Sequence, residues 1–177
     1  MDKTEHPLHR FKYCPVCGSN EFVENDFKSK RCLRCGFLYY SNPSTSTVAV
    51  ILNEKNELLV VRRAKEPAKG TLDLPGGFCD NGESAEQGVL REVQEETGLI
   101  AEVRKFLFSI PNVYPFGGLD IHTLDLFFLC SASDTLHAVA ADDAESLMWI
   151  PLEDVHAEDF GLHSISLGVE RLLKSLR

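Results

Sequence analysis

The chain lacks several features that would place it at a membrane or on nucleic acid. No apolar run in its 177 residues approaches the roughly 20 that a membrane-spanning helix requires. The first ten residues, MDKTEHPLHR, lack the apolar segment of a signal peptide. Basic residues are also in deficit, since 18 Lys and Arg against 27 Asp and Glu give a net charge of −9. We therefore expect a cytoplasmic protein with no membrane partner and no broad electrostatic binding to nucleic acid.

The sequence also has no internal repeat and no low-complexity segment. Its 44% of hydrophobic residues are enough to bury a core. A chain of this length and composition predicts one domain of ordinary size, with room for a small appendage.

Four of the six cysteines fall into two CxxC pairs, each followed by a glycine, namely Cys14, Cys17, Cys32 and Cys35. Two such pairs can bring four thiolates into a tetrahedron around Zn²⁺. The polar segment between them is too short to form a core, so a structural metal would supply what burial cannot. We predict a zinc ribbon over residues 13–41, preceded by a flexible tail over residues 1–12. Two disulfides are the alternative, which the lack of a secretion signal disfavours, and a redox pair is favoured less still.

A helix is predicted from Ala85 to Thr97 by its end signals. Ser84 and Gln87 have the spacing of a capping box, in which each side chain bonds the other residue's amide. Gly98 stands where a left-handed residue would end the helix.

Three carboxylates share one face of this predicted helix, at i, i+3 and i+4 spacing: Glu92, Glu95 and Glu96. Like charges at that spacing repel and destabilise a helix unless something compensates them. A hard divalent cation such as Mg²⁺ binds oxygen ligands of this kind. A solvated acidic face is the alternative.

The stretch from Gly77 to Leu99, GFCDNGESAEQGVLREVQEETGL, resembles the signature of the Nudix hydrolases at every defining position. The defining residues are Gly77, Glu83, Arg91, Glu92, Val93, Glu95, Glu96, Gly98 and Leu99. The resemblance implies a loop–helix–loop that binds Mg²⁺ or Mn²⁺ within a Nudix hydrolase domain over residues 42–177. It also implies hydrolysis of a nucleoside diphosphate linked to another moiety, with release of a nucleoside monophosphate.

Catalytic roles follow from the same resemblance. The metal ligands would be Glu92, Glu95 and Glu96. Glu83 would be a structural or outer-sphere acid paired with Arg91, and the Gly77 backbone would approach the metal or phosphate. The family often uses one more acid from the loop before the last short strand. We assign that role to Glu145, ahead of Asp143 and Asp142.

The remaining pattern predicts an α/β fold of α+β type, with a mixed sheet between two helices. The predicted strands are 48–52, 57–63, 72–77, 101–110, 121–130 and 147–150, and a second helix is predicted over 163–176. Residues 111–120 and 131–144 are predicted loops. The single residues Cys79 and Cys130 are predicted to be buried thiols.

A zinc ribbon directly before a Nudix domain is similar to the arrangement in NADH pyrophosphatases. That branch carries the motif Ser-Gln-Pro-Trp-Pro-Phe-Pro-x-Ser, to which Ser109, Pro111, Pro115 and Phe116 can be matched with a short insertion. The glutamine and the tryptophan are absent. The expected substrate is an NADH- or NAD-type dinucleotide or an ADP-ribose-like molecule. Nucleotide sugars, nucleoside triphosphates and a non-catalytic nucleotide sensor remain alternatives.

Substrate-binding residues are predicted in the same stretch. Tyr114 and Phe116 could stack on a base, and Asn112 could bind an exocyclic group. The alternative is that the two aromatic rings only close the end of the sheet. Arg62 or its neighbour Arg63 could hold a phosphate, and we assign that role to Arg62, although a surface salt bridge would suit either equally. The resemblance also allows a homodimer.

Overall fold

The computed structural model describes residues 6–133 and 144–175. The chain divides into two compact units, residues 1–43 and residues 44–177. The first unit has one sheet and one buried cluster, and the described residues of the second unit form two sheets and two buried clusters.

The first unit is a three-stranded antiparallel sheet formed by β1 (Phe22–Asp26), β2 (Ser29–Cys32) and β3 (Leu38–Tyr40). Its small core joins Phe22 to the buried cysteines Cys14 and Cys32, with Phe37 packed against them. So few apolar side chains bury little area, which is the situation in which a metal site stabilises a small unit.

The predicted flexible tail of residues 1–12 differs from the structure over residues 6–12. Leu8 is only 3% exposed. The Lys30 ammonium donates to the Phe11 carbonyl at 2.6 Å, and a ring nitrogen of His6 lies 2.8 Å from the Asp26 carbonyl. This segment is therefore part of the first unit, because one of its carbonyls and one of its side chains bond to the sheet and its leucine is buried.

The described residues of the second unit form two α-helices and seven strands. The helices are α1 (Ala85–Thr97) and α2 (His163–Ser175). The strands are β4 (Ser44–Ile51), β5 (Glu57–Arg63), β6 (Leu72–Asp73), β7 (Gly76–Phe78), β8 (Ala101–Phe116), β9 (Leu119–Ala132) and β10 (Ala144–Pro151). Short 3₁₀ turns cover Leu152–Asp154 and Ala157–Asp159.

The strands form two sheets. One is mixed, with the order β7-β4-β9-β8, and its parallel pair is β4 with β9. The other is antiparallel, with the order β10-β5-β6. A bridge between Leu52 and Leu58 marks the tight connection from β4 to β5.

The mixed sheet separates two cores. Successive side chains of a strand point to opposite faces, so Ala49 and Ile51 of β4 pack with Val89 and Val93 of α1. On the other face, a second set packs with α2, and it includes Val48, Val50, Phe127, Ile165 and Val169. The predicted fold, a mixed sheet between two helices, is confirmed.

The predicted ends of α1 are also confirmed. The Gln87 amide donates to the Ser84 hydroxyl at 3.2 Å, and the Ser84 amide donates to the Gln87 side chain at 2.8 Å. Gly98 ends the helix with φ of 70°.

The predicted loop over residues 111–120 is wrong. Strands β8 and β9 continue to pair from Asn112 opposite Thr123 to Phe116 opposite Leu119. Gly117 and Gly118 form the two-residue turn, with φ of 58° and 74°, as a tight hairpin requires. Proline at positions 111 and 115 suggested a loop. β8 is an edge strand, however, so a proline on its open side leaves no hydrogen bond of the sheet unmade, although proline has no backbone N–H to donate.

Candidate functional site

The loop before α1 approaches the helix so closely that only glycine fits. A Cβ atom on Gly77 would lie 2.6 Å from the Glu92 carboxylate. A Cβ atom on Gly76 would overlap the Thr47 carbonyl oxygen on β4. The two glycines therefore bring the loop backbone against the acidic face of α1.

One guanidinium ties the acidic groups together. Arg91 lies 2.8 Å from Glu83, and its Nη1 is 2.9 Å from both Glu92 and Glu95. It also donates to the Phe78 carbonyl at 3.0 Å. The hydrogen bonds from Arg91 lower the pKa of the Glu83 carboxyl, and the same acids raise the pKa of Arg91.

The third glutamate of the face is buried. Glu96 is 8% exposed and accepts the Gly76 amide at 3.0 Å. Glu95 is the most accessible of the three, with its side chain 48% exposed. The set therefore offers hard oxygen donors beside a glycine backbone, which suits Mg²⁺ or Mn²⁺.

The glutamates are not gathered into one ligand set. Over residues 6–133 and 144–175, the four cysteines of the first unit are the only group of three or more acidic, cysteine or histidine ligands whose atoms all lie within 4.8 Å. Glu92 and Glu95 contact Arg91 instead, and Glu96 contacts the Gly76 amide.

A cavity of about 360 Å³ opens in front of this loop. We call one side the helical wall, which is formed by Gly76, Gly77, Arg91, Glu92, Glu95 and Glu96. We call the other side the sheet wall, which is formed by Arg63, Asp73, Asn112, Tyr114, Thr123 and Asp125.

Asp125 is a buried carboxylate of the sheet wall, 4% exposed. It accepts the Thr123 hydroxyl at 2.7 Å, the Ser164 hydroxyl at 2.5 Å and the Asn112 amide at 3.3 Å. Sequence reasoning missed it. The available signal was the position of Asp125 two residues before Phe127, on the face of β9 that otherwise carries core residues.

Asp73 is the second buried carboxylate of the sheet wall. Arg63 lies 2.5 Å from it and also reaches the Tyr114 hydroxyl at 3.4 Å. The Leu74 amide donates to the other carboxylate oxygen at 2.8 Å. Burial raises the pKa of Asp73, although the charge of Arg63 opposes that shift. This residue was also missed, because a single aspartate in the run LDLPGG carries no pattern.

The predicted substrate residues fall in different places. Asn112 and Tyr114 line the cavity. Phe116 does not line it, is 65% exposed near the hairpin turn and stacks on Tyr114 at 6.5 Å. Arg62 also lies outside the lining and donates to the Gly70 carbonyl at 2.5 Å, whereas its neighbour Arg63 does line the cavity.

The predicted additional acid is not at the cavity. Glu145 is exposed at the start of β10 and does not line the cavity. Asp142 and Asp143 lie outside the described residues.

The four cysteines of the first unit form two matching turns. The Gly18 amide bonds the Cys14 carbonyl at 2.9 Å, and the Gly36 amide bonds the Cys32 carbonyl at the same distance. Sulfur–sulfur distances of 3.7 Å (Cys14 to Cys35) and 3.6 Å (Cys17 to Cys32) join the two turns. Zn–S bonds of about 2.3 Å in a tetrahedron place sulfurs about 3.8 Å apart. The cluster can therefore hold a zinc ion.

The thiols of this cluster differ in acidity. A hydrogen bond from the Cys35 amide lowers the pKa of Cys32 to about 6. The Phe37 amide acts in the same direction on Cys35, but burial and the neighbouring thiols raise its pKa to about 12. All six cysteines of the chain are free. Of the two predicted buried thiols, Cys130 is buried and Cys79 is half-buried.

Known proteins share this fold. The crystal structure of a NUDIX hydrolase from Nitrosomonas europaea superposes with a TM-score of 0.75 at 22% identity, covering 93% of this chain and 91% of the other. The NUDIX domain of Shewanella oneidensis NrtR, crystallised with ADP ribose, superposes with a TM-score of 0.61 at 23% identity. That match covers 78% of this chain and 91% of the other. At this identity the likeness concerns the fold.

Curated sequences are similar over part of their length. An ADP-ribose pyrophosphatase from Methanocaldococcus jannaschii is 34% identical over 66% of this chain and 66% of its own. An NAD-capped RNA hydrolase NudC from Vibrio parahaemolyticus is 28% identical over 62% of this chain and 42% of its own. The matched part of this chain thus spans about two thirds or less of the length of these relatives.

Within the described part of the chain, no helix is both long and apolar enough to span a membrane.

The family model of the NUDIX domain matches residues 43–167. This range contains the glycine loop, α1 and the cavity with both of its walls. The chain belongs to the NUDIX domain family.

Proposed function

We propose that the chain is a divalent-metal-dependent pyrophosphohydrolase. It cleaves a nucleoside diphosphate linked to another moiety and releases a nucleoside monophosphate. The observation that carries this proposal is the helical wall, where three glutamates of one helix and a glycine backbone border a cavity of about 360 Å³. Its relatives include an ADP-ribose pyrophosphatase and NAD-capped RNA hydrolases.

The metal in this proposal is Mg²⁺ or Mn²⁺, and Glu92, Glu95 and Glu96 would hold it. Their oxygen donors are the type that these ions prefer. Because Gly77 has no Cβ atom, the Glu92 carboxylate fits beside the loop backbone. When bound, such an ion neutralises charge on the pyrophosphate and lowers the pKa of a bound water.

Side chains of the helical wall position the glutamates and accept a proton. Arg91 restrains Glu92 and Glu95, and Glu83 anchors Arg91 through two hydrogen bonds. Glu95, the most exposed of the three glutamates, accepts the proton of the attacking water. The water oxygen bonds to phosphorus, the bridging P–O bond breaks, and the nucleoside monophosphate departs. Glu145 has no step here, because it does not line the cavity.

The proposed substrate is an NADH- or NAD-type dinucleotide or an ADP-ribose-like molecule. Tyr114 offers a ring for stacking inside the cavity, and Phe78 closes that side with its ring 5.8 Å from Tyr114. Phe116 extends the aromatic surface beyond the cavity. Arg63, which lines the cavity, suits a phosphate better than Arg62 does.

A substrate panel tests the proposal. The purified chain is incubated with Mg²⁺ or Mn²⁺ and NADH, NAD⁺, ADP-ribose, a nucleotide sugar or a nucleoside triphosphate, and the products are identified by mass. We expect a nucleoside monophosphate from the dinucleotides or ADP-ribose, and none from the Glu95→Gln variant. Binding of a nucleotide without hydrolysis of any compound would instead support a nucleotide sensor.

We also propose that Cys14, Cys17, Cys32 and Cys35 hold a structural Zn²⁺. Metal analysis should find about one zinc per chain, as one closed tetrahedral site requires. Cys17→Ser should lose the zinc and unfold the first unit, whereas Cys79→Ser should retain it. Full zinc content in Cys17→Ser, or a zinc-free protein with oxidised pairs, would contradict the proposal.

A further inference from the structure

Asp125 forms no ion pair within the described part of the structure. Its three partners are the hydroxyls of Thr123 and Ser164 and the amide of Asn112, all of which are neutral. A buried carboxylate is costly unless a charge or several hydrogen bonds compensate it. Hydrogen bonds therefore hold this carboxylate in place, but they leave its negative charge in the cavity.

The rest of the sheet wall does not neutralise that charge. Arg63 is its one cation, and it is paired with Asp73 at 2.5 Å. Two carboxylates thus face one guanidinium, which leaves the wall with a formal charge of −1. The negative charge of Asp125 is close enough to Asp73 to contribute to the rise in the pKa of that residue. A ligand group that lies on this wall therefore meets a negative potential.

An aromatic ring lies on the same face of the hairpin. Thr123 pairs with Asn112, and the next inward-facing position of β8 is Tyr114. Tyr114, Asn112 and Asp125 all line the cavity. Asp125 pairs two residues further along β8, so Asn112 lies between it and Tyr114. A planar ring that extends from Tyr114 across Asn112 would therefore approach the carboxylate. The Asn112 amide nitrogen donates to Asp125, which leaves the amide oxygen to accept from a carboxamide on such a ring.

We propose that Asp125 makes the sheet wall selective for a cationic heteroaromatic ring, the pyridinium of an oxidised nicotinamide dinucleotide, over a neutral ring of the same shape. This inference rests on the proposed function. A charge held in a low-dielectric cavity acts on a cationic ring more strongly than it would in water. Asp125 is then a specificity-determining residue, and the helical wall carries the chemistry.

NAD⁺ and NADH form a matched pair for the test, because they share both nucleotides and differ in the charge of one ring. We expect Asp125→Asn to lower kcat/KM for NAD⁺ about tenfold more than for NADH, the size expected for one partly desolvated charge interaction. An equal effect on both dinucleotides, or no effect on either, would overturn the inference. A wild-type protein that hydrolyses ADP-ribose but neither dinucleotide would also overturn the inference, whereas one that hydrolyses none of the three would overturn the proposed function.

Ser164→Ala is the matched control. It removes one donor to the same carboxylate and keeps the charge, so the ratio of kcat/KM for NAD⁺ to that for NADH should not change. A ratio that falls as far as in Asp125→Asn would assign the effect to local packing and contradict the role of charge.

A second measurement uses the wild-type protein and does not depend on the fold of a variant. The N-methylnicotinamide cation and neutral nicotinamide differ by one methyl group and one charge. Calorimetry without divalent metal should show that the cation binds about tenfold more tightly. Equal binding, or tighter binding of the neutral compound, would overturn the inference.

Discussion

The two walls of the cavity handle negative charge in different ways. On the helical wall, Glu95 is half-exposed and shares one guanidinium with Glu83 and Glu92. Accessible ion pairs of this kind are weak and can be exchanged for a ligand. On the sheet wall, Asp73 and Asp125 are buried and fixed by several bonds each. The helical wall therefore suits exchange of partners during a reaction, while the sheet wall suits selection of one ligand.

The largest expected effect comes from removing charge on the helical wall. Glu95→Gln and Glu96→Gln should each lower kcat about 100-fold or more, the scale for losing a group that stabilises charge in a transition state. The fold should remain, because glutamine at position 96 can still accept the Gly76 amide. Turnover with Mg²⁺ and the melting temperature are measured together. If both variants keep their turnover, the helical wall is not the catalytic side.

The next effect concerns the contact between the loop and the helix. Gly77→Ala would place a Cβ atom 2.6 Å from the Glu92 carboxylate and displace it. We expect kcat to fall about tenfold or more, since small displacements of reacting groups have effects of this size. Gln94→Ala is the control on the same helix, because that side chain is exposed and does not line the cavity. A fall in stability with unchanged kcat in Gly77→Ala would contradict the expectation.

A smaller effect is expected on the sheet wall. Tyr114→Ala removes the ring that lines the cavity and should raise KM about 3- to 10-fold, as loss of one aromatic contact implies. Tyr114→Phe keeps the ring and should behave nearly as the wild type. Steady-state kinetics measure KM and kcat separately. A fall in kcat with unchanged KM would assign Tyr114 to the chemistry and remove the distinction between the walls.

The smallest effect is a pH dependence of stability. Arg91 lowers the pKa of Glu83 below its usual value of 4.5, so the pair stabilises the fold above that pH. The contribution is lost as the pH falls through the lowered pKa in the folded protein. The free energies of unfolding of the wild type and of Glu83→Gln, measured with denaturant, should differ at pH 7 and converge towards pH 3. A difference that grows in acid would contradict this pairing.

The helical wall could be predicted because its geometry is local. The residues from Gly76 to Gly98 form one loop and one helix, and helical spacing alone places three glutamates on one face. The Glu83–Arg91 pair was expected and is present at 2.8 Å. The capping box and the end of the helix were predicted for the same reason, since each bond joins residues a few positions apart.

The sheet wall could not be predicted in this way. Asp73 and Asp125 are far apart in the sequence, and only the pairing of strands brings them to one cavity. The choice between Arg62 and Arg63 depended on which face of β5 meets the cavity, because neighbouring residues of a strand point to opposite sides. The prolines at positions 111 and 115 concealed the hairpin that positions Asn112 and Tyr114.

The pairing of β4 with β9 limits how the chain can change in length. Eight consecutive residue pairs, from Ser44 with Thr123 to Ile51 with Cys130, run without a bulge. Deletion of one residue within β9 would turn Asp125 towards the α1 core and Phe128 towards α2. Pairs of residues added at Gly117 and Gly118 would only lengthen the hairpin. We therefore expect relatives that keep this pocket to differ in length at that turn, and in steps of two.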